Sequence, residues 1–294
     1  MITVTGLHTY PIKSCAGVVL SEARITPRGV EHDRDYMIVG DDGSFLSQRQ
    51  IPELALIVPR IGATSITLTA PGMGPVDVPL RIPPDDARRV DAAVHGKPVA
   101  GQLVADELDD WFTAFLPVYR DNRRFRLLRV REDAPRYISP SYQRPAASNQ
   151  VGFADGHSML LATEPSLARL NTEMDKPAPM NRFRPNIVIN GPALAAYDED
   201  FWTDLRIGEM TAFVVKACDR CAIPDVDQDT GLTGKAVRRA LRARRGANAH
   251  DRSNTGVFFA QNLAHVYAPN LTVRLGDQVE VLTRSPKPNV VLRG

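Results

Sequence analysis

The 294-residue sequence predicts a mainly β fold with some α structure, in the α+β class. Three observations predict it. Short strand-like runs separated by turn residues fill the first 120 residues, helical periodicity is confined to a few segments, and neither βαβ alternation nor an internal repeat occurs. A doubly wound parallel sheet is therefore disfavoured, and a β-rich barrel architecture is preferred.

The amino-acid composition limits the classes of protein to which this chain can belong. Hydrophobic residues make up 43% and charged residues 24%, values typical of a soluble globular protein long enough for two domains. The chain begins without a secretory signal pattern and contains no run of about 20 apolar residues, so we expect a cytoplasmic protein and no membrane span. A net charge of +2 without a recognisable binding motif argues against nucleic acid as a partner.

In the first half, strands are predicted at residues 1–13, 18–29, 35–40, 65–70 and 75–80. A turn at Asp41, Asp42 and Gly43 ends the third of them. The one good helix candidate spans 104–116, where Leu108, Trp111 and Phe112 recur at helical spacing behind acidic residues.

In the second half, a region rich in Pro, Ser and Tyr, 134–158, has no sustained period and is predicted to be a long ordered loop. Helices follow at 164–174 and near 235–245. Strands are expected at 186–190, 210–217 and 255–263, and a strand pair at 271–282 turns at Gly276 and Asp277.

Two of the three cysteines, Cys218 and Cys221, form a Cys-x-x-Cys pair, and Cys15 stands alone. Three cysteines are too few for a disulfide framework, so they suit a protein of a reducing compartment. Their chemistry would be that of thiols or of metal ligands. A zinc site lacks a second Cys/His pair, and a thioredoxin-type pair would open a helix in a βαβ unit. Simple burial suits Cys218 at the end of an apolar strand, whereas the adjacent Arg220 favours a thiolate at Cys221.

The aspartates after the cysteines alternate as in a calcium loop. Gly231 falls at the seventh position of such a loop and Ala236 at the twelfth, where a sixth-position Gly and a bidentate Glu are required. A turn that holds the cysteine loop is the better interpretation.

Basic and polar residues adjoin several predicted strands. Lys13 and Ser14 follow the first strand, Arg34 precedes the next, and Arg182 and Arg184 precede the strand at 186–190. Guanidinium, ammonium and hydroxyl groups suit an anionic ligand such as a phosphate. Any one of them alone is better explained as a solvated surface charge.

Five motifs taken in order resemble one family: "YPIKSCAG", "RGVEHDRDYMIV", "FADGHSMLL", "NRFRPNIVING" and "CDRCAIPDVDQDTG". They are similar to the molybdenum-cofactor sulfurase C-terminal (MOSC) domain proteins that carry an N-terminal MOSC β-barrel, and among these to the amidoxime-reducing enzymes and their bacterial relatives. The resemblance implies a MOSC N-terminal β-barrel-like domain over 1–120 and a MOSC β-barrel domain over 121–294, with Lys13 and Arg34 reaching across to a shared site.

The resemblance also implies a cofactor, the molybdenum cofactor (Mo-molybdopterin), with one protein cysteine as metal ligand. The matching position is Cys221, which leaves Cys218 as packing. The positions that match cofactor-binding residues of the family are Lys13, Ser14, Arg34, Asp155, Gly156, His157, Arg184, Asn186, Asp219 and Arg220. The family often has Thr and Ser at Gly156 and His157 and Ser or Pro at Asp219, so an anionic Asp219 is expected to face Arg220 or the pterin ring nitrogens.

The function implied is a molybdenum-dependent oxidoreductase that reduces N-hydroxylated small molecules (hydroxylamines, amidoximes or N-hydroxylated bases) to amines. Three cysteines cannot ligate the iron–sulfur cluster of an appended ferredoxin domain, so we expect a separate electron donor of the flavin reductase or ferredoxin type. Two alternatives stay open: a cofactor or sulfur carrier with a persulfide on Cys221, and a relative that shares only the fold.

A basic segment, residues 234–252, follows the cysteines. It carries seven Lys and Arg residues against the single acid Asp251. We predict that it docks the electron donor through attraction to an acidic surface, although a solvated arginine-rich helix explains the same pattern nearly as well.

Overall fold

The structure is a computed structural model that describes residues 1–119, 121, 123–246 and 256–289. The first ten strands are β1 Ile2–Thr9, β2 Val18–Leu20, β3 Glu22–Thr26, β4 Gly29–Val30, β5 Tyr36–Gly40, β6 Val58–Ile61, β7 Ser65–Thr69, β8 Val76–Pro79, β9 Arg89–Val94 and β10 Lys97–Leu103. The later strands are β11 Phe125–Val130, β12 Arg136–Tyr137, β13 Gln150–Val151, β14 Met159–Thr163, β15 Ile187–Asn190, β16 Trp202–Ile207, β17 Met210–Asp219, β18 Phe258–His265, β19 Thr272–Arg274 and β20 Gln278–Arg284.

The helices among the described residues are α1 Asp106–Phe115, α2 Glu164–Asn171 and α3 Ala236–Arg245. Short 3-10 turns cover Pro52–Leu56, Asp86–Arg88, Pro140–Tyr142, Met180–Phe183, Asp198–Phe201 and Ile223–Asp225. With strands dominating and three α-helices present, the predicted fold class is confirmed.

Seven strands close into a barrel in the order β15-β14-β18-β17-β16-β20-β1, and β1 pairs back onto β15. Only the β14–β15 neighbours in this ring are parallel. Alternate side chains of the ring, such as Leu7, Leu205 and Leu263, form a fully buried core. The barrel thus takes its closing strand from the start of the chain and the other six from beyond residue 150.

Smaller sheets lie beside the barrel. β5-β11-β10-β9 form one antiparallel sheet and β6-β7-β8 another, and α1 packs on them through Leu108, Trp111 and Phe112. Because β11 follows residue 120 but pairs with β5 and β10, and β1 precedes residue 120 but closes the barrel, strand pairing crosses that residue in both directions. The domain boundary at 120 stays a prediction.

The three predicted helices are confirmed. Acidic residues open α1, and the Thr163 hydroxyl caps α2 by accepting from the Ser166 N–H at 3.2 Å, with Pro165 in the first turn. α3 begins without an acidic residue in its first turn, but the carboxylate of Asp225 accepts from the Arg238 N–H at 3.2 Å. A side chain from the cysteine loop therefore caps this basic helix.

The basic segment 234–252 is only partly as predicted. Arg245 is fully buried in an ion pair with Asp200, so it belongs to the core and the expectation that it faces a partner is wrong. Arg238 and Arg244 are bound to Asp225 and Glu173. Asp251 and Arg252 lie outside the described residues.

The region 134–158 is ordered mainly as turns, with the two-residue strands β12 and β13 paired across it. Predicted strands match β1, β2, β3, β5, β7, β8, β15, β17, β18, β19 and β20. Strands β4, β6, β9 to β14 and β16 were not predicted. Among the helices of the part described, none is both long and apolar enough to cross a bilayer.

Candidate cofactor-binding site

Every predicted site residue lines one narrow cavity. Lys13 and Ser14 lie after β1, Arg34 lies before β5, and Arg184 and Asn186 lie before β15. The turn 155–157 lies ahead of β14, and residues 219–221 lie at the end of β17. Strand pairing in the barrel and in the β5 sheet therefore brings together five segments that are distant in sequence.

Three of these residues have left-handed backbone conformations that side-chain-bearing residues rarely adopt. The φ angles are 71° at Ser14, 51° at Arg34 and 55° at Arg184. Each costs about 1–3 kcal/mol relative to ordinary backbone, and such strain concentrates at functional sites. These conformations lower the stability of the folded protein, and all three residues line the same cavity.

Arg34 and Arg184 both stack on Tyr10, with guanidinium carbons 4.5 Å and 4.2 Å from its ring centroid. Buried Asp33 accepts from Arg34, from the Tyr10 N–H at 2.9 Å and from Asn186 Nδ2 at 2.9 Å. Asn186 Oδ1 also accepts from the Leu160 N–H at 3.1 Å. Asn186 therefore mainly fixes the position of Asp33, which in turn orients Arg34.

Positive charge at this end of the cavity is incompletely balanced. Arg184 donates from Nη1 to the Cys15 carbonyl at 2.6 Å, while its buried Nη2 has no partner among the described residues. Burial, and after it the neighbouring Arg34, lower the pKa of Arg184 to about 10. An anion contacting both arginines would supply the missing acceptor and relieve their repulsion.

The third guanidinium, Arg220, changes the interpretation of the cysteines. Its Nη1 donates to Cys218 Sγ at 3.0 Å and its Nη2 to the Phe183 carbonyl at 2.7 Å, and its buried Nε lacks a partner among the described residues. Arg220 therefore contacts the sulfur of Cys218 rather than that of Cys221, its neighbour in the sequence. Cys218 also packs against the core beside β18, as expected for a packing residue.

Cys221 is partly exposed in the cavity wall, and its Sγ accepts from the Ile223 N–H at 3.5 Å. A thiolate there would be a soft metal ligand. The part of the chain that is described holds no cluster of three or more His, Cys, Asp or Glu side chains arranged for a metal ion.

The aspartates after Cys221 hold its loop, as predicted. Asp225 is buried and binds Arg238, and Asp227 binds Arg182 at 2.6 Å while accepting from the N–H groups of Asp229 and Thr230. Gln228 exchanges amide hydrogen bonds of 3.0 Å with Gln48, which also donates to the Ser14 carbonyl at 2.7 Å. The cysteine loop is thus fastened to α3, to the segment before β15 and to the segment after β1.

Lys13 also lines the cavity. Its Nζ donates to Asp155 and, at 2.9 Å, to the Phe153 carbonyl. Burial lowers the pKa of Lys13, with Asp155 acting in the other direction. His95, from the β9–β10 turn, approaches the same carboxylate at 3.2 Å. The sheet β5-β11-β10-β9 therefore reaches the site through His95.

His157 and Asp219, two of the predicted cofactor-binding residues, occupy different surroundings. Burial, then Lys216 and Lys97, lower the pKa of His157 to about 4, so its ring is neutral at physiological pH. Its ring packs edge-on against Tyr142 at 5.4 Å, and Nδ1 has no partner among the described residues. Asp219 is exposed, and within the described chain no ion pair joins it to Arg220.

Sequence reasoning missed Tyr10, Asp33, Phe45 and His95. Tyr10 and Asp33 directly adjoin predicted site segments, and their proximity was the available signal. Phe45 lies beneath Lys13 and Arg49, with Nζ of Lys13 5.1 Å from its ring centroid. Phe45 and His95 lie on loops whose approach to the site depends on packing of the β5 sheet, and no sequence pattern indicates it.

A larger cavity, of about 1200 Å³, lies elsewhere and shares no residue with the site. Its arginines include Arg28 and Arg131, which are paired with Asp35 and Asp133. Chemistry therefore distinguishes the two cavities better than size does: only the narrower one combines a thiol with incompletely balanced arginines.

Comparison with known proteins identifies two domains in the chain. Residues 1–118 match the MOSC N-terminal beta barrel domain and residues 148–280 match the MOSC domain. The rat protein named mitochondrial amidoxime reducing component 2 is 35% identical over 78% of this chain and 68% of its own length. Human mitochondrial amidoxime-reducing component 1 is 32% identical over 95% of this chain and 83% of its own length.

Proposed function

Because the chain belongs to the MOSC family that includes the amidoxime-reducing components, we propose that it is a molybdenum-cofactor-dependent reductase of N-hydroxylated compounds. Hydroxylamines, amidoximes and N-hydroxylated bases are its proposed substrates. The overall change is R–NHOH with two electrons and two protons giving R–NH₂ and water. The single observation that carries the proposal is a partly exposed cysteine in the same cavity as two incompletely satisfied arginines.

The residues present fit the cofactor. Its phosphate needs several charged donors, and Arg34, Arg184 and Arg220 provide guanidiniums of which two have unpartnered buried nitrogens. We propose that these three hold the anionic part, that Ser14 and Lys13 support it, and that Cys221 is the protein ligand to the metal. When bound, the oxo-molybdenum centre supplies the two-electron chemistry that removes oxygen from nitrogen.

The protein contributes binding and electrostatics. Asp33 and Asn186 hold Arg34 in place, and the loop bearing Cys221 is fixed by the Arg238 and Arg182 ion pairs. Asp155 neutralises Lys13, and together with Gly156 and His157 it forms the wall that faces Lys13. In this arrangement neutral His157 offers a polar group to a ligand without adding charge.

Electrons would come from a separate redox protein of the ferredoxin or flavin reductase type. We propose the cytoplasm as the compartment, since three free cysteines suit a reducing environment, whereas the relatives are named mitochondrial.

The test is turnover of benzamidoxime by protein purified from a molybdenum-replete host, with reduced methyl viologen as electron source. We expect benzamidine formation that depends on the protein and disappears in Cys221→Ala. Protein that contains molybdenum but forms no amine from benzamidoxime or from an N-hydroxylated base would contradict the proposal.

A further inference from the structure

The basic helix α3 has two chemically different faces. Its inner face carries buried Val237, Ala240 and Leu241 and ends at buried Arg245. Lys235, which precedes the helix, and Arg239 and Arg242 are all exposed. They follow one another at spacings of four and three residues, so they form a single stripe, called here the α3 face.

Within the described residues, no carboxylate balances the charges of the α3 face. Arg238, Arg244 and Arg245 each bind a carboxylate, but none of Lys235, Arg239 and Arg242 has an acidic partner among the described residues. Cations near a helix N-terminus are unfavourable by roughly 0.3–1 kcal/mol, since the helix dipole is positive there. Lys235 and Arg239 therefore do not serve helix stability, and with Arg242 they present to solvent positive charge that no described carboxylate balances.

The N-terminal turn of α3 adjoins the cysteine loop. Asp225 accepts from both the N–H and the Nε of Arg238, in the first turn of α3. In the chain Asp225 ends the 3-10 turn that begins at Ile223, whose N–H donates to Cys221 Sγ. One short, rigidly bonded segment thus separates the helix from the proposed metal ligand.

We propose that the α3 face docks the electron donor, an acidic electron-transfer protein of the ferredoxin or flavodoxin type; this inference rests on the proposed function. Unbalanced positive charge attracts an acidic partner and accelerates encounter, and the attraction weakens as salt screens it. Attachment of the helix to the cysteine loop places a docked partner on the side of the protein where electrons are needed.

The experiment compares two triple variants with matched charge change. Lys235→Glu, Arg239→Glu and Arg242→Glu together reverse the α3 face, and Arg24→Glu, Arg60→Glu and Arg274→Glu reverse three exposed arginines on β3, β6 and β19. Benzamidoxime reduction is measured with reduced plant-type ferredoxin, with reduced flavodoxin and with reduced methyl viologen. Binding of ferredoxin is measured separately by titration calorimetry.

For the α3 triple variant we expect the ferredoxin- or flavodoxin-driven rate to fall on the order of tenfold or more at about 0.01 M ionic strength. The deficit should vanish near 1 M salt, where charges are screened within about 3 Å. The dye-driven rate should stay within about twofold of wild type, since the dye needs no docking surface. The control triple variant should behave as the wild type does.

Several results would overturn the inference: an unchanged protein-driven rate, an equal loss in the control triple, or a dye-driven rate that falls as far as the protein-driven one. If reduced methyl viologen supports turnover by the wild type but neither ferredoxin nor flavodoxin does, the proposed class of partner is wrong. Loss of binding to a duplex DNA probe with unchanged donor-driven rates would assign the stripe to nucleic acid. If the dye drives no turnover, the proposed function fails, while ferredoxin binding still tests the surface.

Discussion

Two buried arginines show how differently the same side chain is used. Arg245 is fully buried, donates to both oxygens of Asp200 and to the Phe258 carbonyl, and lies 4.3 Å from the Tyr197 ring centroid. Arg184 is 7% exposed, shares the Tyr10 ring with Arg34, and leaves Nη2 without a partner among the described residues.

The difference lies in the balance of charge. Around Arg245 each donor meets a carboxylate or carbonyl, so the ion pair can serve the fold alone. Around Arg184 burial and the neighbouring Arg34 lower the pKa to about 10, so the folded protein bears an electrostatic cost. An incompletely satisfied buried cation in a cavity is what an anion-binding site requires, and a fully satisfied one is what a core tolerates.

The largest expected effect is at the balanced pair. Asp200→Ala leaves the Arg245 guanidinium buried without its carboxylate, so we expect unfolding free energy to fall by about 3–5 kcal/mol. Urea unfolding monitored by circular dichroism measures this loss. The control is Glu280→Ala, which breaks the exposed ion pair with Arg206 and should cost about 0–1 kcal/mol.

Similar losses in the two variants would mean that Arg245 reaches solvent or another acceptor. The account of a core ion pair would then be wrong.

The next effect concerns Glu199, which adjoins Asp200 but bonds mainly to the Ser166 hydroxyl at 2.7 Å. Burial raises its pKa to about 7 from 4.5. Between those pH values the folded protein keeps a proton that the unfolded chain releases, so stability falls as pH rises through this window. The total decrease is on the order of 3 kcal/mol.

Glu199→Gln removes the titration, so wild-type stability relative to this variant should decline between pH 4.5 and 7 and then level off. Urea unfolding at several pH values measures the difference. Parallel curves for the two proteins across that window would show that Glu199 titrates normally. The charge of Glu199 would then be balanced by its neighbours, as that of Arg245 is.

A smaller effect is expected at the unbalanced cluster. Arg34→Ala and Arg184→Ala each remove charged hydrogen bonds to an anion, at a cost of about 1.5–3 kcal/mol or roughly ten- to a hundredfold in cofactor affinity. Folding stability of the cofactor-free Arg184→Ala protein should fall less than that of Asp200→Ala, because this substitution also removes like-charge repulsion with Arg34. Molybdenum retained after dialysis and activity per bound molybdenum are the measurements.

If both variants keep full molybdenum through dialysis, these arginines do not hold the phosphate. Loss of activity per bound metal with normal retention would instead place them beside the substrate.

How far the sequence predicts the fold depends on where charges fall. Strands with regular apolar alternation were identified, but β11, Phe125–Val130, was missed because Arg126 and Arg129 interrupt its pattern. Long arginine side chains can pack their stems along apolar surface, which composition does not reveal. The role of β1 as the strand that closes the barrel depends on pairing across some 180 residues and follows from no local pattern.

Some features of the candidate site could likewise be predicted from the sequence, and others could not. Residues beside strand ends were found, because sheet pairing brings such ends together. The direction of the Arg220 side chain was not, since adjacency in sequence does not determine which sulfur it contacts. Burial of Arg245 had a usable signal: Val237, Leu241 and Arg245 recur every four residues on one helix face.

The central claim is that Cys221, in a cavity of incompletely balanced arginines, is the protein ligand of a molybdenum centre. Its most direct test is the molybdenum-to-protein ratio, by elemental analysis, of wild type, Cys221→Ala and Cys218→Ala purified from a molybdenum-replete host. We expect a ratio near one in wild type, most of it retained in Cys218→Ala, and little in Cys221→Ala, with all three folded. A wild type without molybdenum that bears transferable sulfur on Cys221, or equal loss in both variants, would contradict the claim.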